Sequence, residues 1–401
     1  MAFIAPAGTP ISFGTFSAGL ARGVMQPSID ARLAHALAQH SGHQRCWLMS
    51  TGRAAMVIAL QAMRDAVGDP RRTEVIVPAY TCYSVPASVI RAGLQPRLCD
   101  IDPSTLSMEV QALEQFDFSR VLGIVTANLY GIPNQLDAIE RIAKRAGVLM
   151  LDDAAQSLGA SLGGRPVGGF GDVGLYSFDK GKNITSLEGG ALIASDPKLS
   201  ARIEALHSAL PATPFTKTAM TIVKLGAYSL LLRPTLYDFV RQLPGLGLGK
   251  TKWEDDYPIQ QYSRPLAGFT HSLYGQLQSL SKRRRDNANS LSAALRAVPG
   301  MQLIEPPVGS LPAYTRLPFL VTDASRRDAV IAKLNDAGIG ATASYPSALC
   351  DVPEVARTLP QSDLTMPAAQ RVANSIVTLP THPYCPSDLP ARVGQTLSSI
   401  K

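Results

Sequence analysis

The chain has 401 residues, 46% of them hydrophobic and 17% charged, with a formal net charge of +7. That length exceeds one ordinary core and suits two domains, or one large α/β domain with an appendage, and the apolar content excludes a disordered or low-complexity protein. The basic excess is spread along the chain and does not indicate nucleic-acid binding: its one run, Lys282-Arg283-Arg284-Arg285, lies among Leu277, Leu280, Leu291 and Leu295 at helical spacing and reads as a solvated helix face.

No charged N-terminal segment leads into an apolar stretch with a small-residue cleavage site, so secretion is not expected. The cysteines, Cys46, Cys82, Cys99, Cys350 and Cys385, are odd in number and lack C-x-x-C spacing. This argues against a disulfide framework and a zinc site and fits a reducing cytoplasm.

Val75 to Val77 reads as a strand ending at Pro78, and 96 to 101 as another. Val121 to Thr126 and Val148 to Leu151 are continuous apolar runs of the kind buried on both faces of a parallel sheet. Between them, 134 to 146 has helical periodicity, with Asn134 as N-cap and Gly147 as its end. Val173 to Phe178 and Ala191 to Ala194 complete a mainly parallel α/β sheet with its reactive loops at the strand ends.

The stretch 219 to 248 is strongly apolar, but Lys224, Arg233, Pro234 and Asp238 interrupt it before the ~20 apolar residues a spanning helix needs. It reads either as helices packed on the core or a subunit partner, or as an interfacial patch touching a membrane surface or an acyl chain. Irregular, proline-containing sequence from 243 to 266 marks a boundary. A long helix over 272 to 297 and a smaller α+β region, with strands at 317 to 321 and 376 to 379, follow.

Three features carry chemistry. Asp152-Asp153 follows V-L-M-L directly, at the end of a buried strand. A carboxylate there is often only a helix cap. Lys182, however, follows the next strand, and parallel neighbours bring both loops to one sheet edge. Ser50-Thr51-Gly52-Arg53-Ala54-Ala55 opens a helix whose small residues let backbone amides approach an anion. A buried acid, a buried amine and an anion site on one edge are what pyridoxal phosphate requires: the lysine holds the aldehyde, the carboxylate keeps the pyridine nitrogen protonated, and the amides hold the phosphate.

Five stretches in this order resemble the DegT/DnrJ/StrS family of PLP-dependent sugar aminotransferases, within fold type I: S-T-G-R-A-A (50 to 55), E-V-I-V-P-A-Y-T (74 to 81), N-L-Y-G-I-P (128 to 133), L-D-D-A-A-Q-S-L-G-A (151 to 160) with G-G-F-G-D (168 to 172), and S-F-D-K-G-K-N-I-T-S-L-E-G-G (177 to 190). S-Y-P-S-A-L (344 to 349) and T-L-P-T-H-P (378 to 383) are also similar. The resemblance implies a large cofactor-binding α/β domain over 45–208 after an N-terminal arm at 1–44. An apolar insertion at 209–262 and a long helix with a small C-terminal α+β domain over 263–401 follow.

In the family pattern S-F-x-x-x-K the functional lysine falls on Lys182, leaving Lys180 as a solvent-facing loop residue. The resemblance further implies that Asp153 pairs with the pyridine nitrogen, Gln156 lies near the ring's phenolic oxygen, and Ser177 joins the Gly52 and Arg53 amides at the phosphate. It implies a cytoplasmic homodimer that moves an amino group, with glutamate the usual donor, to a keto sugar on a nucleotide or lipid carrier. The alternatives are a PLP-dependent dehydratase or lyase on the same scaffold, and a non-catalytic cofactor-binding scaffold.

The chain departs from the family in four places. Arg53 stands where relatives carry threonine, and is either a cation reaching an anionic group or an exposed first-turn arginine. Cys82 occupies the position of the ring-stacking aromatic, with Tyr83 or Tyr80 as the substitute. Around 269 to 274, His271 is either a stand-in for a segment that relatives use across the subunit interface or a structural histidine. The apolar insertion is expected to cover an apolar substrate moiety or to rest on a membrane.

Overall fold

The computed structural model describes residues 3–233, 235–237 and 253–399. The first residues do more than form an arm. They build helices α1 (Phe13–Met25), whose Ser12 cap accepts from the Thr15 amide, and α2 (Ile29–Ser41), ended by Gly42 in the left-handed region.

Next come β1 (Arg45–Met49), α3 (Gly52–Val67), β2 (Glu74–Pro78), α4 (Ser84–Arg91), β3 (Gln95–Cys99) and β4 (Val121–Val125). They are followed by α5 (Leu136–Ala146), β5 (Leu149–Asp153), β6 (Val173–Ser177) and β7 (Gly190–Ala194). These strands form one sheet in the order β1-β7-β6-β5-β4-β2-β3. Strands β2 to β6 pair in parallel, and β7 runs antiparallel to both neighbours. Every residue of β2, β4, β6 and β7 is buried, because helices cover both faces, so these strands read as unbroken apolar runs.

Helices α6 (Pro197–Ser208) and α7 (Phe215–Leu231) lead to α8 (Arg264–Tyr274) and α9 (Leu277–Arg296). A second, antiparallel sheet joins β8 (Met301–Leu303), β9 (Arg316–Val321) and β10 (Ile376–Pro380), with α10 (Arg327–Asp336), α11 (Pro367–Ser375) and α12 (Leu389–Ser398) packed around it.

Three local expectations need correction. The long helix over 272 to 297 is two helices: Gly275 and Gln276 break it, and the Gln276 side chain donates to the Thr15 hydroxyl on α1 at 2.9 Å. Asn134 does not cap α5. The helix starts after Gln135, and the Asn134 amide instead donates to the Ala127 carbonyl (2.6 Å) and accepts from Ser107 (3.1 Å). The basic run on α9 is not wholly solvated, since Arg284 has no exposed surface at all.

The insertion contains α7 and a returning segment at 253–261; its residues 234 and 238–252 lie outside the described residues. Helix α7 exposes Phe215, Met220, Val223 and Leu230, and α1 exposes Phe13, Val24 and Met25. Phe16 of α1 lies 3.5 Å from the position a Cβ would take at Gly226 of α7, so the two helices are neighbours. Neither carries a carboxylate. Among the described residues, no helix is long and apolar enough to cross a membrane.

Candidate active site

The ends of β5 and β6, the start of α3 and the segment after β6 enclose a cavity of about 480 Å³. Strand pleating decides which carboxylate faces it. Asp153, paired in register with Leu175, lines the cavity together with Leu175, Ser177 and Lys182. Asp152 points the other way and is a structural group. It accepts from Asn128 (2.7 Å), Thr126 (3.2 Å) and the Gly168 (2.6 Å) and Phe170 (3.4 Å) amides, which ties β4, β5 and the 168–172 turn together.

Burial drives both carboxyls up to about 6. At Asp153 that rise is opposed by one hydrogen bond, from the Ala155 amide at 2.9 Å, and by the positive charge of Lys182. A carboxyl raised by desolvation and drawn down by an amine across the same cavity is poised to hold or release a proton near neutral pH.

The floor is built from the start of α3 and is suited to an anion. The Thr51 hydroxyl caps α3 by accepting from the Ala54 amide at 3.0 Å. Gly52 and Arg53 lie in the first turn, whose amides a helix leaves without internal acceptors, and both line the cavity with Ser177. A Cβ at Gly52 would sit 3.0 Å from the Ser177 Cβ and crowd this floor. The glycine pair after Glu188 has a similar cause: a Cβ at Gly190 would lie 2.6 Å from the Gly52 nitrogen and the Thr51 carbonyl group. Gly190→Ala should push the first turn of α3 out of place and cost about 1–3 kcal/mol, read as a lower urea midpoint at unchanged m-value.

Tyr83 lines the cavity, as do Cys82 and Arg53. Tyr80 is turned into the core and donates to the Tyr345 carbonyl at 3.1 Å. Lys180 is exposed, whereas Lys182 is half-buried at the wall. The amide of Gln156 is taken up on both sides, donating to the Tyr345 hydroxyl at 2.9 Å and accepting from the Tyr130 amide at 3.0 Å. Tyr130 (φ 58°) and, on the wall itself, Leu187 (φ 66°) hold left-handed backbone that side chains avoid, and such strain gathers at functional sites. His271 is not on the wall. It sits on α8 with Nδ1 buried and unpartnered among the described residues, and burial followed by Arg22 and Arg32 lowers its pKa.

Sequence reasoning missed the wall that the insertion supplies. Lys217 of α7 lines the cavity and pairs with Glu188 at 3.2 Å, and Glu254, Tyr257 and Pro258 close another side. Arg53 is accordingly neither a bare surface arginine nor free: it pairs with Glu254 at 2.5 Å and lies 4.3 Å over the Tyr257 ring, which Arg91 covers at 4.4 Å. No local signal in the sequence links Arg53 to Glu254, 201 positions away.

Residues 25–227 and 270–398 match the DegT/DnrJ/EryC1/StrS aminotransferase family. The chain belongs to this family. Among curated relatives, the L-glutamine:2-deoxy-scyllo-inosose aminotransferase of Streptomyces fradiae is 34% identical over 202 residues, 50% of this chain and 47% of that protein. The UDP-N-acetyl-3-dehydro-alpha-D-glucosamine 3-aminotransferase of Acidithiobacillus ferrooxidans is 31% identical over 160 residues, 40% and 42% of the two chains. The chain thus spans about half the length of the curated relatives it matches.

Among solved structures, the Helicobacter pylori aminotransferase involved in pseudoaminic acid biosynthesis superposes with a TM-score of 0.80 at 16% identity, covering 100% of both chains. A sugar aminotransferase of Micromonospora echinospora gives 0.78 at 23%, covering 99% of this chain and 100% of that one. The fold of this family member is therefore that of the fold type I aminotransferases.

Proposed function

We propose that this family member is a pyridoxal-phosphate-dependent aminotransferase acting on a keto sugar or a related cyclic ketone. The observation that carries the reading is that Asp153 and Lys182 line one cavity together with the first turn of α3. The donor set fits the cofactor: a buried carboxyl for the ring nitrogen, a primary amine for the aldehyde, and the Gly52 and Arg53 amides with the Ser177 hydroxyl for the phosphate. When bound, pyridoxal phosphate supplies an electron sink that lets the carbon bearing the amino group give up its proton.

The chain's own residues do the rest. Asp153 holds the proton at the pyridine nitrogen, and its buried site keeps that contact free of water. Lys182 first tethers the aldehyde through Nζ and, once displaced by the donor's amine, moves a proton to and from the substrate carbon. Tyr83, on the lining, offers the aromatic face expected against the ring. Gln156 is not itself among the lining residues but follows Ala155, which is, and its role toward the phenolic oxygen rests on the family resemblance. Residues 45–208 form the cofactor-binding unit in this reading, 209–262 the insertion and 263–401 the second unit.

Relatives are named for L-glutamine as donor and for an inosose or a nucleotide-linked ketone as acceptor. Both glutamine and glutamate are therefore the donors to test. The purified protein, loaded with cofactor, should release the donor's 2-oxo acid at one equivalent per subunit before any acceptor is added. No release with either donor, while the cofactor is still bound through Lys182, would turn the reading to a lyase or dehydratase.

The exposed apolar faces of α1 and α7 favour a covered surface. We take its occupant to be a second copy of the chain. Light scattering should give a dimer in which Val223→Glu weakens association. Co-sedimentation of the protein with anionic vesicles, lost on the same substitution while the protein remains monomeric throughout, would assign the face to a membrane instead.

A further inference from the structure

Arg284 is a fully buried cation with no carboxylate near it among the described residues. Its only partners there are neutral oxygens: the Gly8 carbonyl at 2.6 Å, the Thr9 hydroxyl at 3.2 Å and the Thr315 carbonyl at 3.3 Å. Its Nε has no partner among the described residues. Burial lowers its pKa to about 10, so it stays charged at neutral pH. An uncompensated buried charge is costly, and an apolar side chain of similar volume would normally serve the fold as well or better. What Arg284 does hold is the N-terminal segment, at the point where that segment touches the lysine loop.

Thr9 is itself fully buried, and its hydroxyl donates to the Lys182 carbonyl, with the Asn183 carbonyl 3.3 Å away. The Thr9 amide donates to the Tyr228 hydroxyl of α7 at 2.9 Å. The same backbone is tied twice more, by the Lys182 amide to the Asp179 carbonyl (3.3 Å) and by the Asn183 side chain to the Leu158 carbonyl (2.6 Å). Residues before Thr9 are anchored in turn: the Ile4 amide donates to the Gly338 carbonyl at 2.9 Å, and His382 Nε2 donates to the Ala5 carbonyl at 2.8 Å.

We propose that Thr9 and Arg284 are positioning residues for Lys182, forming a clamp in which Arg284 fixes the Thr9 hydroxyl and the hydroxyl fixes the carbonyl of the lysine whose amine faces Asp153. This rests on Lys182 being the residue that tethers the cofactor. The clamp acts on the Lys182 backbone, whereas the phosphate would be held by the Gly52 and Arg53 amides and the Ser177 hydroxyl, none of which bonds to Thr9 or Arg284 among the described residues. Removing the hydroxyl should therefore slow capture of the aldehyde, a condensation of Nζ with the carbonyl carbon that releases water, without weakening phosphate binding.

The unsubstituted protein is compared with T9V, T9S and R284M, using pyridoxal 5′-phosphate and its alcohol analogue pyridoxine 5′-phosphate, which binds but cannot be tethered. T9V should bind the alcohol within about twofold of the unsubstituted protein, yet form the yellow tethered species, trapped by borohydride on the Lys182 peptide, about tenfold more slowly. T9S should restore the rate, and R284M, which keeps the volume, should match T9V.

Tethering by T9V at the unsubstituted rate overturns the clamp. So does an equal loss of alcohol binding and tethering in T9V, which would mark general loosening. If T9V does not fold, R284M against T9S decides by the same readouts. Failure of the unsubstituted protein to tether at Lys182 overturns the cofactor reading and the clamp with it, whereas normal tethering there with no T9V or R284M effect overturns the clamp alone.

Discussion

Lys182→Ala should yield a folded protein whose amino-transfer rate lies at least about 10⁴-fold below that of the unsubstituted protein, because in the proposed reaction one side chain supplies both the covalent tether and the proton shuttle. Its Nζ makes no hydrogen bond or ion pair among the described residues, and the side chain is half-buried on a cavity wall. Because that amine also draws the Asp153 carboxyl down, the cofactor-free variant should lose up to about 1 kcal/mol at neutral pH, measured by urea titration of both proteins. Lys180, two positions earlier and exposed, is the internal control: its alanine variant should retain activity within about twofold. Equal losses at both positions would remove Lys182 from its role.

Asp153→Asn should separate catalysis from stability. Activity should fall by about 10²- to 10³-fold if Asp153 has its proposed role, because asparagine carries no charge to hold a proton on the ring nitrogen. The cofactor-free protein should nonetheless become more stable at neutral pH. Asp153 titrates at about 6 when folded, against 3.8 as the ordinary value, so between these limits the folded state keeps a proton that the unfolded chain has lost. Stability therefore declines as pH rises through that window, and the full penalty stands above pH ~6. Two pKa units correspond to about 2–3 kcal/mol, which the asparagine variant would recover at pH 7 and which should fade to nothing below pH ~4. A stability difference independent of pH would show that the ionised carboxyl is not the source.

Much of the catalytic half could be read along the chain because its strands are buried on both faces and its reactive residues sit within a few positions of strand ends. Val121 to Val125, Val173 to Ser177 and the loop carrying Lys182 are local in that sense. Strand alternation also separates Asp153 from Asp152 once the strand is known. What the sequence did not disclose depends on contacts between distant segments. Arg284 looks like one member of a basic surface run, and only tertiary packing buries it. Glu254 and Tyr257 meet Arg53 across the insertion, and the helix break at Gly275 is stabilised by a hydrogen bond to α1. Asn134 has the local signature of a cap, but a stronger set of partners at Ala127 and Ser107 claims its amide.

The route of residues 4–9, from contacts with Gly338 and His382 to the carbonyl of Lys182, has a bearing on biosynthesis. A ribosome that has completed the α/β sheet has already made the acid, the amine and the first turn of α3, yet the anchors that seat the leading segment have still to emerge. The nascent chain thus carries these residues through much of the remaining synthesis before Arg284 and the anchors at Gly338 and His382 can seat the leading segment. These contacts span hundreds of residues in sequence, so they belong to the slow, non-local part of folding.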